Sequence, residues 1–259
     1  MGKRYILTNL AAIMAVGIFA GCRHEEVDVL AREPNLQGTY IPSGYQSAAL
    51  EAAGGVDAWA KVKKLQLDAF VNFYQPDDSF YLTEQTYIIY PWSNSIEIFG
   101  KEPQGDFTWR LSQGKFEVLQ GLKRIPDVKS VLDNQCLAEA ILSIVTAPVR
   151  FMDKSVDFTK DDNPHIIEGQ WYYPILRQTK ADIESILRIP RAVFYQNRDN
   201  SIIEIIWIDC PGSNQFLTVR GYDYNKIKDG KIIIPQRIEI YLTDSHNSSQ
   251  RRLVKIDFK

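Results

Sequence analysis

From residue 65 onward, apolar and polar positions alternate in short runs that end at turn residues. Leu65, Leu67, Ala69, Val71 and Phe73 take every second place, with Gln66, Asp68 and Asn72 between them, as a half-buried strand requires. Runs at 80–90, 95–99, 107–111 and 115–119 are separated by "QPDD", "PWSN", "KEPQGD" and "SQG", and such short connections predict antiparallel hairpins. Strands resume at 171–176, 191–197, 202–209, 216–224, 232–242 and 253–258, with "QNRDNS" and "NKIKDGK" as hairpin turns. In 202–208 both faces are apolar apart from Glu204, which predicts a central strand covered on each side.

The period becomes helical in two places. Before the first strand, Ala48, Leu50, Ala52 and Ala53 favour a helix that Gly54 and Gly55 can stop in the left-handed conformation. Asp57 can then cap a second turn carrying Val62 and Trp59, the latter expected in the core. Later, Asp127 can cap a helix reaching about 147, where Pro148 stops it. Leu132, Cys136, Ala140 and Ile144 form one stripe, widened by Leu137, Ile141 and Val145, and this face needs a broad apolar surface to cover it. The pattern predicts a mainly β, α+β protein: one domain over 44–259, built on a strongly curved antiparallel sheet whose hollow is filled by helices.

Two stretches carry a resemblance. "GGVDAWAKVKKLQL" before the first strand and "RGYDYNKIKDGKIIIPQRIEIYLTD" near the end are similar to segments of the LolA/LolB-like lipoprotein-localisation superfamily. The resemblance covers roughly residues 45–259. It implies a half-barrel, an incomplete β-barrel with helices covering its concave face, and binding of an acyl chain or acylated polypeptide in the hollow. Its signals are architectural and carry over no ligand-contact residue.

The N-terminus sets the expected location. Lys3 and Arg4 precede the apolar segment 13–20, the layout of a secretory signal too short to span a bilayer permanently. Phe19-Ala20-Gly21-Cys22 resembles the bacterial lipobox, which implies cleavage after 21 and lipid attachment at Cys22, including a palmitate-type acyl group. The alternative is a secretory signal with an incidental cysteine. Residues 22–43, with Pro34, Gly38 and Pro42, read as a flexible tether. Arg23 follows the cysteine where aspartate would signal inner-membrane retention, so the expected place is the outer membrane of a Gram-negative envelope, with possible partners among other envelope proteins.

Composition narrows the function. A formal net charge of -2 excludes a field that would attract nucleic acid. The three histidines, His24, His165 and His246, fall in the tether and in polar loops, and no H-x-x-x-H or C-x-x-C occurs, so no metal or other cofactor is expected. No nucleophile elbow, phosphate loop or dinucleotide fingerprint is present, and the expected activity is binding without catalysis. The alternative is a sensor or interaction module with a filled core. Cys136 and Cys210 either form a disulfide pinning the helix to the sheet or remain two separate buried thiols. Trp109, Trp171 and Trp207 are candidates to line the ligand hollow, the alternative being core positions beneath the helices. Trp92, in "YPWSN", lies at a hairpin tip, where an indole can meet a membrane or a hydrophobic partner unless it folds back.

Overall fold

The computed structural model describes residue 42 and residues 44–259, apart from 103–104, 113, 121–122, 125–127, 155, 180–191, 211–214 and 228–230. The signal segment, Cys22 and nearly all of the tether lie outside the described residues.

Two short helices come first, α1 (Tyr45–Ala52) and α2 (Val56–Ala60). Gly54 and Gly55 separate them at φ +113° and +84°. A Cβ on Gly54 would stand 2.2 Å from the Lys231 carbonyl oxygen, so only glycine admits the later strand that docks here through Ile233 N–H and Ala53 O at 3.0 Å. Asp57 lies in the first turn of α2 and not at its cap, which Gly55 occupies. Trp59 is fully buried and donates its indole N–H to Ala53 O at 3.0 Å.

A meander follows: β1 (Leu65–Tyr74), β2 (Phe80–Tyr90), β3 (Ser95–Glu102), β4 (Gly105–Ser112), β5 (Lys115–Gln120) and β6 (Lys123–Arg124). Helices α3 (Val128–Val145) and α4 (Ala147–Arg150) lead into β7 (Val156–Lys160), β8 (His165–Ile167), β9 (Gln170–Thr179), β10 (Ala192–Asn197), β11 (Ile203–Cys210) and β12 (Gln215–Tyr222). A small hairpin of β13 (Asn225–Ile227) and β14 (Ile232–Ile234) precedes β15 (Arg237–Thr243) and β16 (Ser249–Phe258).

One 14-stranded sheet runs β6-β5-β4-β3-β2-β1-β16-β15-β12-β11-β10-β9-β7, with β8 on β9. The sheet is antiparallel throughout, and β6 and β7 are its two ends, so it does not close. The C-terminal strand β16 joins the halves by pairing with both β1 and β15. The expected strand over 232–242 is divided at Pro235, which lacks the N–H a ladder needs; β14 leaves for its own hairpin and β15 restarts in the main sheet. Strands β7 and β8 fall in the polar region that the hydrophobic pattern passes over. The helix expected to stop at Pro148 instead restarts there, because proline suits the first turn of α4.

Candidate functional site

Period-2 alternation brings alternate residues of every main strand onto the face that carries α3. Through the paired registers one rung passes Phe73, Val254, Ile240, Val219, Ile206, Phe194 and Ile175. In the other half, Ile89, Ile96, Leu111 and Phe116 form a second rung. Helix α3 touches β3, β4 and β5 on one side and β11, β12 and β15 on the other, so it draws both halves of the sheet into one hydrophobic core. The Cys136–Cys210 disulfide, with a Cα–Cα distance of 5.8 Å, ties α3 to the end of β11.

The helix does not lie on the sheet as a lid with a wet outer face. Every residue from 138 to 152 is buried, including Glu139, Ser143, Thr146 and Arg150. From Ala138 onward α3 is therefore a core helix, with Asn134, Gln135 and Leu137 before it half-buried, whereas the sequence stripe indicated burial of one face. Tyr45 and Phe158 reach its far end: Tyr45 Oη donates to Phe158 O at 3.0 Å, and the Phe151 ring meets Tyr45, Phe158 and Phe194.

Charged groups enter this apolar space where α4 meets β9. Arg177 lies in β9 with the same parity as Ile175, between Ala192 and Phe158 in the neighbouring strands, and is 3 % exposed. Arg150 donates through Nη2 to Thr146 Oγ1 at 2.8 Å, and Thr146 Oγ1 donates to Leu142 O at 2.6 Å. Arg150 Nε and Arg177 Nε and Nη2 are buried without a hydrogen-bond partner. Burial, and then the like charge of Arg177, pushes the Arg150 guanidinium down to about 9. Burial lowers Arg177 as well, against the pull of Asp153 and Glu139. Two desolvated guanidinium groups with unpartnered donors are costly to bury, and an anion that reached them would recover part of that cost through charge-assisted hydrogen bonds. Neither arginine stands out in the sequence; for Arg177 the available signal is its strand parity.

The tryptophans do not share one wall. Trp109 is buried in the main core on β4, against Phe107 and Phe116, and faces α3. Trp207 is equally buried on the opposite face, in a second cluster with Tyr172, Tyr195 and Ile205; it stacks on Phe216 and donates to Asp244 O at 3.2 Å. Trp171 is 39 % exposed beneath the Arg198 guanidinium. Trp92 is half-buried against the main core, because the turn 91–94 folds inward instead of standing out as a hairpin tip. Cys22 lies outside the described residues. Strand β11 is covered on both faces as its pattern required, by Ile206 and Ile208 on one side and Ile205 and Trp207 on the other.

Cavities lined by described residues involve the face opposite α3. One, of about 810 Å³, lies over β1–β4 near Phe99, Lys101 and Asp106. Another, of about 450 Å³, lies between β9, β11 and β12. Among the described residues no cluster of His, Cys, Asp and Glu could hold a metal ion, and no helix is long and apolar enough to cross a membrane.

The chain is similar to a LolA superfamily protein from Nitrosomonas europaea, at 13 % identity and a TM-score of 0.50, over 84 % of this chain and 92 % of that one. It is also similar to a DUF1329 family protein from Desulfovibrio piger (10 % identity, 83 % and 90 % covered, TM-score 0.46). A third similar structure is described as an outer membrane lipoprotein-sorting protein domain from Vibrio parahaemolyticus (11 % identity, 83 % and 91 % covered, TM-score 0.49). No protein-family model matches the chain, and no curated protein matches it in sequence. The chain has a LolA-like fold.

Proposed function

We propose that this chain is an envelope protein, anchored in the outer membrane through lipid on Cys22, that holds the acyl chain of a lipid or acylated polypeptide between α3 and a sheet curled around it as a half-barrel. The supporting observation is the combination on the helix face of a broad apolar surface and the buried, incompletely paired Arg150 and Arg177. Such a site suits a ligand with an apolar tail and an anionic head. Each buried methylene contributes about 0.8 kcal/mol, so a tail burying about ten gives roughly 8 kcal/mol, enough for capture without chemistry. The head would complete the arginine hydrogen bonds.

The test is titration of lipid-stripped protein with a fluorescent fatty acid. Saturable uptake near one site per chain, weakened by Arg177→Met, is expected; absence of saturable uptake contradicts the reading. Metabolic labelling with alkynyl palmitate tests the anchor separately: the wild-type chain takes the label and Cys22→Ser does not.

A second reading is an interaction module with a filled core. The unbroken burial of residues 138–152 favours it, as does an exposed apolar patch on one face of β2, where Phe80 and Leu82, two residues apart, are 58 % and 60 % exposed. Such a patch is a protein-contact surface by its chemistry. Failure of fatty-acid uptake, with an envelope protein crosslinked at Leu82, supports this alternative.

A further inference from the structure

The 450 Å³ cavity opposite α3 is built around Glu204, the one polar residue in the apolar run 202–208. Strand alternation would send Glu204 to the helix face with Ile206 and Ile208. A β-bulge prevents this: Tyr195 pairs with Ile205 and Gln196 with Ile203, so Glu204 is the unpaired residue, and it turns to the other face. There its carboxylate is held from three directions. Oε2 accepts from the Tyr172 hydroxyl at 2.8 Å and from Asn197 Nδ2 at 3.0 Å, and Oε1 accepts from Asn200 Nδ2 at 2.8 Å.

The groups holding Glu204 are themselves fixed. Asn197 Oδ1 accepts from Asp199 N–H at 2.8 Å, and Asn200 Oδ1 from Ile202 N–H at 2.8 Å, so the β10–β11 turn sets both amides. Across the cavity Arg220 pairs with Glu168, its guanidinium lies over the Tyr241 ring, and its Nε is buried without a partner. Tyr224 Oη donates to Ile203 O at 2.7 Å, and Asp223 pairs with Arg237 at 3.2 Å. This is a preorganised polar site of small-molecule size, supported by a second layer of hydrogen bonds.

Its charges define the ligand class. Arg220 is taken up by Glu168 and Asp223 by Arg237, which leaves Glu204, held by three neutral donors, to oppose an anion and to accept from a neutral donor. The Arg220 pairing with Glu168 also takes up the two-pronged surface that an amino-acid carboxylate would need. What remains toward the cavity is acceptor capacity on Glu204 Oε1, the Arg220 guanidinium hydrogens that Glu168 and Tyr222 do not take up, and the edges of Tyr222 and Tyr224, since Arg220 Nε itself is buried and Arg237 covers one face of Tyr222. Neutral hydroxyl groups satisfy both polar positions, because each can donate to one and accept from the other. The geometry points to a saccharide site: a neutral sugar unit binds here, its hydroxyls donating to Glu204 and accepting from Arg220, with ring C–H faces against tyrosine.

The experiment is saturation-transfer NMR and calorimetry on the purified chain with maltose, cellobiose, diacetylchitobiose, methyl mannoside and methyl galactoside, and with glutamate and choline as charged competitors. At least one sugar is expected to bind saturably, and Glu204→Gln and Tyr172→Phe each to weaken it about tenfold or more, the scale of losing a buried charged hydrogen bond. Amide shift changes in the wild-type protein should centre on 168–172, 197–204 and 220–224, a readout that does not depend on a variant folding. Fatty-acid uptake should be unaltered in Glu204→Gln. Absence of transfer to every sugar, shift changes centred elsewhere, unchanged sugar affinity in a folded Glu204→Gln protein, or occupation of the cavity by glutamate or choline would each overturn the assignment.

Discussion

Cutting the Cys136–Cys210 bond probes how α3 is held. The two cysteines are 74 residues apart in sequence, and both are buried at the junction of α3 with β11. In the chain-entropy description a cross-link of that span removes about 15 cal/mol/K from the unfolded ensemble, or about 4.4 kcal/mol at 25 °C. For a domain of this size such a loss lowers the melting temperature by roughly 9–18 °C. The assay is urea unfolding of the oxidised protein, of the same protein after reduction, and of Cys136→Ala/Cys210→Ala. Comparing oxidised with reduced wild type isolates the cross-link from packing lost with the sulfur atoms. Reduced protein should retain its β-sheet circular dichroism yet unfold at lower denaturant. A separation under about 1 kcal/mol would refute the reasoning, since the unfolded chain would then already hold these ends together.

Core placement separates two of the tryptophans: Trp109→Ala should cost about 3–5 kcal/mol in the same unfolding assay, and Trp171→Ala less than about 1 kcal/mol; equal losses would contradict their positions. Alkali should destabilise the protein through its buried phenols. Burial raises Tyr87 well above the ordinary tyrosine value near 10, so its contribution is intact below that pH and is lost as pH rises through and beyond it. Each such tyrosine steepens the decline by up to about 1.4 kcal/mol per pH unit. Arg150, depressed to about 9, acts oppositely above that pH, because the unfolded chain then binds the extra proton. Stability of Tyr87→Phe measured from pH 9 to 11 should therefore fall less steeply than wild type; an identical slope would contradict the assignment.

Local pattern carried much of this fold. The alternation of Leu65 to Phe73, the turn strings between hairpins and the two-faced 202–208 run each identify a strand without tertiary information. Other features depend on contacts distant in sequence. Val156 and Phe158 alternate with Asp157 and Thr159, yet this edge strand sits among so many charged residues that its signal is masked. Pro235 divides a run whose apolar residues read continuously. Glu139 and Ser143 mark a solvent side on a helical wheel, and only packing around α3 buries them. Trp207 and Trp109 lie on opposite faces, because which parity meets the helix depends on long-range pairing. Glu204 stood out by composition, but the bulge that turns it into a cavity becomes legible only from the register of β10 on β11.

The central claim, an acyl chain held on the helix face, is tested most directly by photocrosslinking with a diazirine-bearing fatty acid, followed by mass-spectrometric mapping of the modified residues. Adducts are expected on α3 and on helix-face positions such as Trp109, Ile206 and Phe194, suppressed by excess palmitate. Adducts confined to the exposed Phe80 and Leu82 patch, or none that palmitate competes away, would contradict it.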